Sequence, residues 1–423
     1  MIKFILAVFS VMALFLSQAF AEEENKLKMP STEVSVHLHD GNDVSVYQYP
    51  ASGKDLVIWV GYSWHDRAIR MAENLAAKGM EVWQIDFAEA LMQTSSSNFM
   101  RNLDAGYVAD LIDAAHQRTG KRVILYAQGY VAIPVLRGAT IWQQRDKHFG
   151  KLSGAVLFSP DLVTGLPELG KDPEYLDIVD QTSIPMMIYQ GGLHGSAEHF
   201  ASLVKRLSTN NPNVFHQTLQ GVTSIFYHDE NAPETLRMVR ELPAITAKLF
   251  DYFDTLPIKV VAAKYQQPSQ VSEARLDIKL KPFAGNPQPQ AIKLADAHGK
   301  LFHLNEYSGK ITVVNFWATW CPPCVEEIPS LNRLRAAMKD QPFELISVNY
   351  ADTPKQIIDF MKKVNVEFPV LVDPAGKTAQ SWNVIGFPST FVIGKDGKIV
   401  YGVNAAIHWD SQEVIDTLKA LTR

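Results

Sequence analysis

Apolar runs of strand length alternate with helix-period stripes along two stretches of the chain, residues 32–253 and 291–423. In the first, apolar and polar positions alternate over 33–39 and 44–49 around Asp40-Gly41-Asn42, which predicts an opening hairpin. Strand-like runs follow at 56–60, 81–85, 122–126, 154–158, 185–189 and 214–219. Helix-like segments lie between them at 66–78, 103–117, from 131 onward and at 197–207, and a long one at 233–253 closes the stretch. In 103–117, Tyr107, Leu111 and Ala115 share one face. Such alternation predicts an α/β fold with a doubly wound, mostly parallel sheet covered on both faces.

The second stretch reads strand 311–316, helix 322–338, strand 344–349, helix 354–364, and strands 370–372 and 390–393. A turn at Lys395-Asp396-Gly397-Lys398, a strand at 399–403 and a helix at 411–421 complete it. Residues 254–290 lack a sustained period, although 274–280 have strand character. Pro257, Pro268, Pro282, Pro287 and Pro289 are interspersed there with glutamines, which predicts a stiffened, solvated linker.

Residues 1–21 form a third pattern, with Lys3 ahead of an apolar run to Leu16 and Ala19-Phe20-Ala21 before Glu22. This predicts a secretory signal peptide cleaved after Ala21, leaving a soluble exported chain, periplasmic in a two-membrane cell. The apolar run is short for a membrane span, and no later run of that kind occurs. Net charge is −5 over 423 residues, and −6 without Lys3, so no basic face points to nucleic acid as a partner.

Cys321 and Cys324 are the two cysteines of the chain. They fall between the strand at 311–316 and a stripe of Val325, Ile328, Leu331 and Leu334, hence at a helix start. Free amides there favour a thiolate, making Cys321 a nucleophile and Cys324 the thiol that resolves a mixed disulfide. Two other readings remain open. A zinc site needs four ligands, no second pair exists, and the nearest histidine in sequence is His303. A structural staple closing so short a loop would restrain the unfolded chain little. Neither a cofactor nor a metal is called for.

The stretch Val314-Asn315-Phe316-Trp317-Ala318-Thr319-Trp320-Cys321-Pro322-Pro323-Cys324, with Glu327 and Pro329, resembles the exported thioredoxin-like reductases of the TlpA/ResA/DsbE type. Segments 302–310, 386–390 and 403–409 fit the same resemblance, which covers 291–423. It implies a thioredoxin-like domain working as a protein-disulfide reductase. Cys321 would be the exposed attacking thiol, Cys324 the buried resolving thiol, Glu327 a proton-handling group and Pro388 a cis proline facing the disulfide. Trp320 and Phe387 would line the substrate surface; Trp317 fits that surface or the core equally. It further implies disulfide-bearing exported clients, apocytochrome c among them, and a membrane thiol donor. An oxidase or isomerase role stays open.

The order of elements over residues 45–253 resembles the α/β-hydrolase fold. The elbow G-x-S-x-G of that family matches Tyr126-Ala127-Gln128-Gly129-Tyr130, where the nucleophile position holds Gln128. The acid position falls at His194 and the final histidine at His228. Ser63, His65 and Asp66 form a triad-like string, but they sit in the stretch matching the oxyanion loop. The expectation is a hydrolase-like domain without hydrolase chemistry, used for binding or docking; an active hydrolase is the rival.

Overall fold

A computed structural model of the chain describes residues 31–62, 66–145, 151–165, 169–192, 194–197, 199–222, 233–257, 265–268, 279–304, 309–384 and 386–422. The signal-peptide stretch lies outside these residues, as do Ser63, His65 and His228.

Among the described residues, the first stretch builds one sheet of eight strands: β1 (Thr32–His37), β2 (Asp43–Tyr49), β3 (Asp55–Val60), β4 (Met80–Ile85), β5 (Arg122–Gln128), β6 (Leu152–Phe158), β7 (Met186–Gly191) and β8 (Val214–Leu219). Their order is β1-β2-β4-β3-β5-β6-β7-β8. The β1–β2 hairpin runs antiparallel and joins β4 antiparallel, while β3 to β8 are mutually parallel. Central strands buried on both faces need an apolar side chain at nearly every position, and Leu56-Val57-Ile58-Trp59-Val60 has one. Leu56, Ile58 and Val60 feed one core and Val57 and Trp59 the other, the period-two alternation of a strand. Helices Gly106–Thr119 and Ala132–Gln143 cover the first face, and Asp66–Ala77 and Pro233–Phe253 the second.

The turn out of β5 differs from the expectation. Gln128 is still extended, with φ −125° and ψ 143°, and the left-handed bend falls on Gly129 at φ +56°. Glycine takes that conformation without a steric penalty, so the chain turns where the side chain is absent.

The second sheet has six strands in the order β14-β13-β12-β15-β16-β9. Its members are β9 (Lys281–Pro282), β12 (Ile311–Trp317), β13 (Phe343–Tyr350), β14 (Val370–Asp373), β15 (Ser389–Ile393) and β16 (Ile399–Val403). A separate ribbon pairs β10 (Lys293–Ala295) with β11 (Leu301–His303). β9 belongs to the stretch expected as linker. It pairs with β16, and flanking bonds from Phe283 N to Val400 O (2.9 Å) and from Ile399 N to Pro287 O (2.7 Å) lace it down. Pro282 is tolerated because β9 is an edge strand.

The two sheets meet through the loop after β6. Leu169 is 7% exposed and packs in the same core cluster as Phe391 of the second sheet and Ile292, Phe302 and Trp382 beside it. Gln380 Nε2 donates to Gly192 O at the end of β7 (3.1 Å).

Candidate active site

β12 delivers the cysteines. Its seven residues are all buried, with Ile311, Val313 and Trp317 on one face and Val314 and Phe316 on the other. After Ala318 the chain turns and the helix Pro322–Ala337 begins, with Cys321 as its N-cap. Pro322 and Pro323 fill the first helical positions, where no amide hydrogen is needed. Cys324 N donates to Cys321 Sγ (3.3 Å), so the helix start points an amide at the first sulfur. The two sulfurs are bonded to each other, and the peptide Phe387–Pro388 is cis.

Cys324 is 1% exposed and Cys321 5%. Cys321 was expected to be exposed; with its sulfur bonded it is nearly as enclosed as its partner, between a half-exposed Trp320 and the exposed Pro322 and Pro323. Trp320 forms an aromatic rim with Phe387 (6.0 Å between centroids) and Tyr350, whose ring lies 4.8 Å from Phe387. Trp317 is core: its indole N–H donates to Ser347 Oγ (3.0 Å) and its ring meets Phe360.

Glu327 lies one turn beyond Cys324 and is 3% exposed. Asn315 shares the inward face of β12 with Val313 and Trp317, so its amide meets this helix. Asn315 Nδ2 donates to Glu327 Oε1 (2.8 Å), and Trp409 Nε1 donates to Oε2 (3.1 Å). Burial pushes the carboxyl up to about 7, while the Trp409, Asn315 and Ile407 hydrogen bonds pull the other way. A carboxyl poised there can exchange a proton near neutral pH.

Three contributors escaped the sequence reading. Asn315 and Trp409 flank Glu327, and Asp352 accepts from Thr319 N (2.9 Å), holding the turn before the cysteines. Asn315 carried a signal, a polar residue inside an apolar strand run; Trp409 ends the 403–409 segment of the resemblance, but it is 82 residues from Glu327 and its pairing with that residue was not legible.

The candidate triad positions of the first sheet do not assemble among the described residues. Gln128 ends β5, and His194 Nδ1 bonds Ser196 Oγ (2.9 Å), with burial pushing its imidazole down to about 4. No cluster of three or more metal-ligating side chains occurs among the described residues, and none of their helices is long and apolar enough to cross a membrane.

Comparison with known proteins places the match in the second half. The AhpC/TSA family matches residues 284–402. Thiol-disulfide oxidoreductase ResA of Bacillus thuringiensis subsp. konkukian is 32% identical over 138 residues, which are 33% of this chain and 78% of that protein. ResA of Bacillus subtilis is 34% identical over 116 residues, 27% of this chain and 64% of that protein. Among solved structures, the pneumococcal exposed lipoprotein thioredoxin Etrx1 from Streptococcus pneumoniae aligns at 26% identity and TM-score 0.29, over 31% of this chain and 99% of its own. StoA from Bacillus subtilis aligns at 23% identity and TM-score 0.27, over 32% of this chain and 98% of its own.

Proposed function

The chain belongs, through its C-terminal thioredoxin-like domain, to the AhpC/TSA family and its ResA-type thiol-disulfide oxidoreductases, and from that premise we propose that it reduces disulfides of exported client proteins. The reducing direction follows from the family resemblance, and the observation that supports the residue roles is the layered site itself. Cys321 caps the helix with an amide on its sulfur, Cys324 lies deeper, and a carboxyl titrating near neutrality sits one turn below.

In the proposed cycle the Cys321 thiolate attacks a client disulfide, forming a mixed disulfide and releasing one client sulfur. Glu327, ionised, takes the Cys324 proton directly or through one water. The Cys324 thiolate then attacks Cys321 Sγ and displaces the second client sulfur. The client gains two electrons and two protons, and the pair ends as the Cys321–Cys324 disulfide. A dithiol donor at the membrane returns it to the reduced state. Trp320 and Phe387 offer an apolar rim to the client, and the Pro388 segment is where an extended client strand would pair, as the family resemblance implies. Apocytochrome c fits as a client in the periplasm, the compartment to which the signal-peptide pattern of residues 1–21 leads.

The front domain fits a hydrolase-like scaffold without hydrolase chemistry. An antiparallel hairpin leading into six parallel strands supports the scaffold, and a glycine at the bend after β5 supports the loss. Its docking on the redox domain through Leu169 and Gly192 favours a second role, holding clients near the thiols. The direct test is reduction of insulin disulfides by the full chain with a dithiol donor. Cys321→Ala should abolish turnover; turnover that survives it refutes the reading.

A further inference from the structure

We infer that Asn315 and Trp409 are positioning residues for the redox reaction: from opposite sides they hold the Glu327 carboxylate in place as the proton acceptor for the resolving thiol. The inference rests on the proposed role of Glu327 and adds two residues to it, one from β12 and one from the tail beyond β16.

Each oxygen of the carboxylate faces one side-chain donor, Asn315 Nδ2 on Oε1 and Trp409 Nε1 on Oε2. An indole N–H can only donate, so it has nothing to offer a protonated carboxyl's hydrogen. The Asn315 amide is oriented by a second acceptor, since Nδ2 also donates to Thr390 Oγ1 (2.9 Å) on β15. Both nitrogen-bound hydrogens thus have partners, and the amide oxygen turns away from Glu327.

Trp409 is fixed too. It is fully buried, and its backbone N–H donates to Ser330 Oγ (3.3 Å), which in turn donates to Glu327 O (2.8 Å). The tail is therefore stitched to the helix at the same residue whose side chain it contacts. The groups acting on the carboxyl are Trp409 and Ile407 from the tail and Asn315 from β12, together with burial; no charged side chain is among them. With no charged side chain among those groups, these neutral donors are what make ionisation attainable near neutral pH in so buried a place.

Removing either donor leaves the burial and withdraws support from the ionised form. The carboxyl should then ionise about one pH unit higher, the scale expected for one hydrogen bond to a charged group. Resolution of a mixed disulfide at pH 7 slows severalfold, and the rate returns at alkaline pH. A residue that merely stabilised the fold would lower the rate at every pH instead.

The experiment uses the reduced full chain and 5,5′-dithiobis(2-nitrobenzoate). Attack by Cys321 releases the first thionitrobenzoate and resolution by Cys324 the second, so the second phase reports the step in question. Its rate is followed from pH 5.5 to 9 in the unaltered chain, Trp409→Phe, Asn315→Ala and Glu327→Gln, with circular dichroism confirming folding. The expected result is an inflection near 7 in the unaltered chain, absent in Glu327→Gln and moved up by about one unit in both donor variants, with the alkaline plateau retained. An inflection that Glu327→Gln removes but neither donor variant moves overturns the inference alone. An inflection that survives Glu327→Gln overturns the role of Glu327 and the inference with it. Because Asn315→Ala leaves the tail intact, it carries the test if Trp409→Phe does not fold.

Discussion

The backbones of Gly170 and Gly285 cross so closely that a β-carbon on Gly170 would lie 2.3 Å from Gly285 N. Gly170 also has φ +81°, where other residues are strained. One glycine belongs to the loop after β6 and the other to the segment following β9, so this crossing clamps the front domain onto the redox domain. Gly170→Val should unseat the clamp at a cost of about 1–3 kcal/mol, from overpacking and backbone strain. Calorimetry should show a lowered Tm, and limited proteolysis should show faster cleavage in residues 254–290. Reaction of the reduced thiols with 5,5′-dithiobis(2-nitrobenzoate) should be unchanged, because the clamp lies on the other face of the second sheet from Cys321.

Glu327 makes the stability of the oxidised protein depend on pH. Burial raises its folded pKa from the ordinary 4.5 to about 7, so the stabilising form is the protonated one. That contribution is complete below 4.5 and is lost as pH rises through 7. The stability gap between Glu327→Gln and the unaltered chain should therefore move in the variant's favour by up to about 3 kcal/mol between pH 4 and pH 8. Urea melts at the two pH values check this; a gap that stays constant contradicts the assignment.

Cys324→Ala leaves a Cys321 thiolate that can attack a client but has no partner to release it. This variant should accumulate client-bound species on non-reducing gels, collapsing on addition of dithiothreitol. Cys321→Ala should accumulate none, because the helix-start amide that favours a thiolate points at the Cys321 sulfur.

The front domain should not react with a fluorophosphonate probe. Gly129 stands at the bend where a nucleophile would project, and His194 is occupied by Ser196 with its imidazole held largely neutral. Mass spectrometry of the probe-treated full chain should find no adduct, Ser63 included. A labelled Ser63 would establish hydrolase chemistry in the first domain.

What could be read from the sequence was local. An apolar run ending at two prolines and a helical stripe locates Cys321 at a helix start without any tertiary information. Alternation of strand and helix signals likewise anticipates two α/β sheets. Gln128 looked like the elbow because one residue of offset is invisible in a short motif; the bend went to Gly129, where a left-handed φ costs least. Lys281–Pro282 looked like linker because proline demotes a strand, yet an edge position makes the missing amide irrelevant. Trp409 and Glu327 are joined only through tertiary folding, and nothing at either position announces the other.

The most direct measurement is the reduction potential of the Cys321–Cys324 pair in a glutathione or dithiothreitol buffer. A reductase of exported disulfides requires a strongly reducing pair, so the account predicts a value near or below that of thioredoxin, about −270 mV. A value near that of a strong oxidant, about −120 mV, would contradict it and make the protein a donor of disulfides.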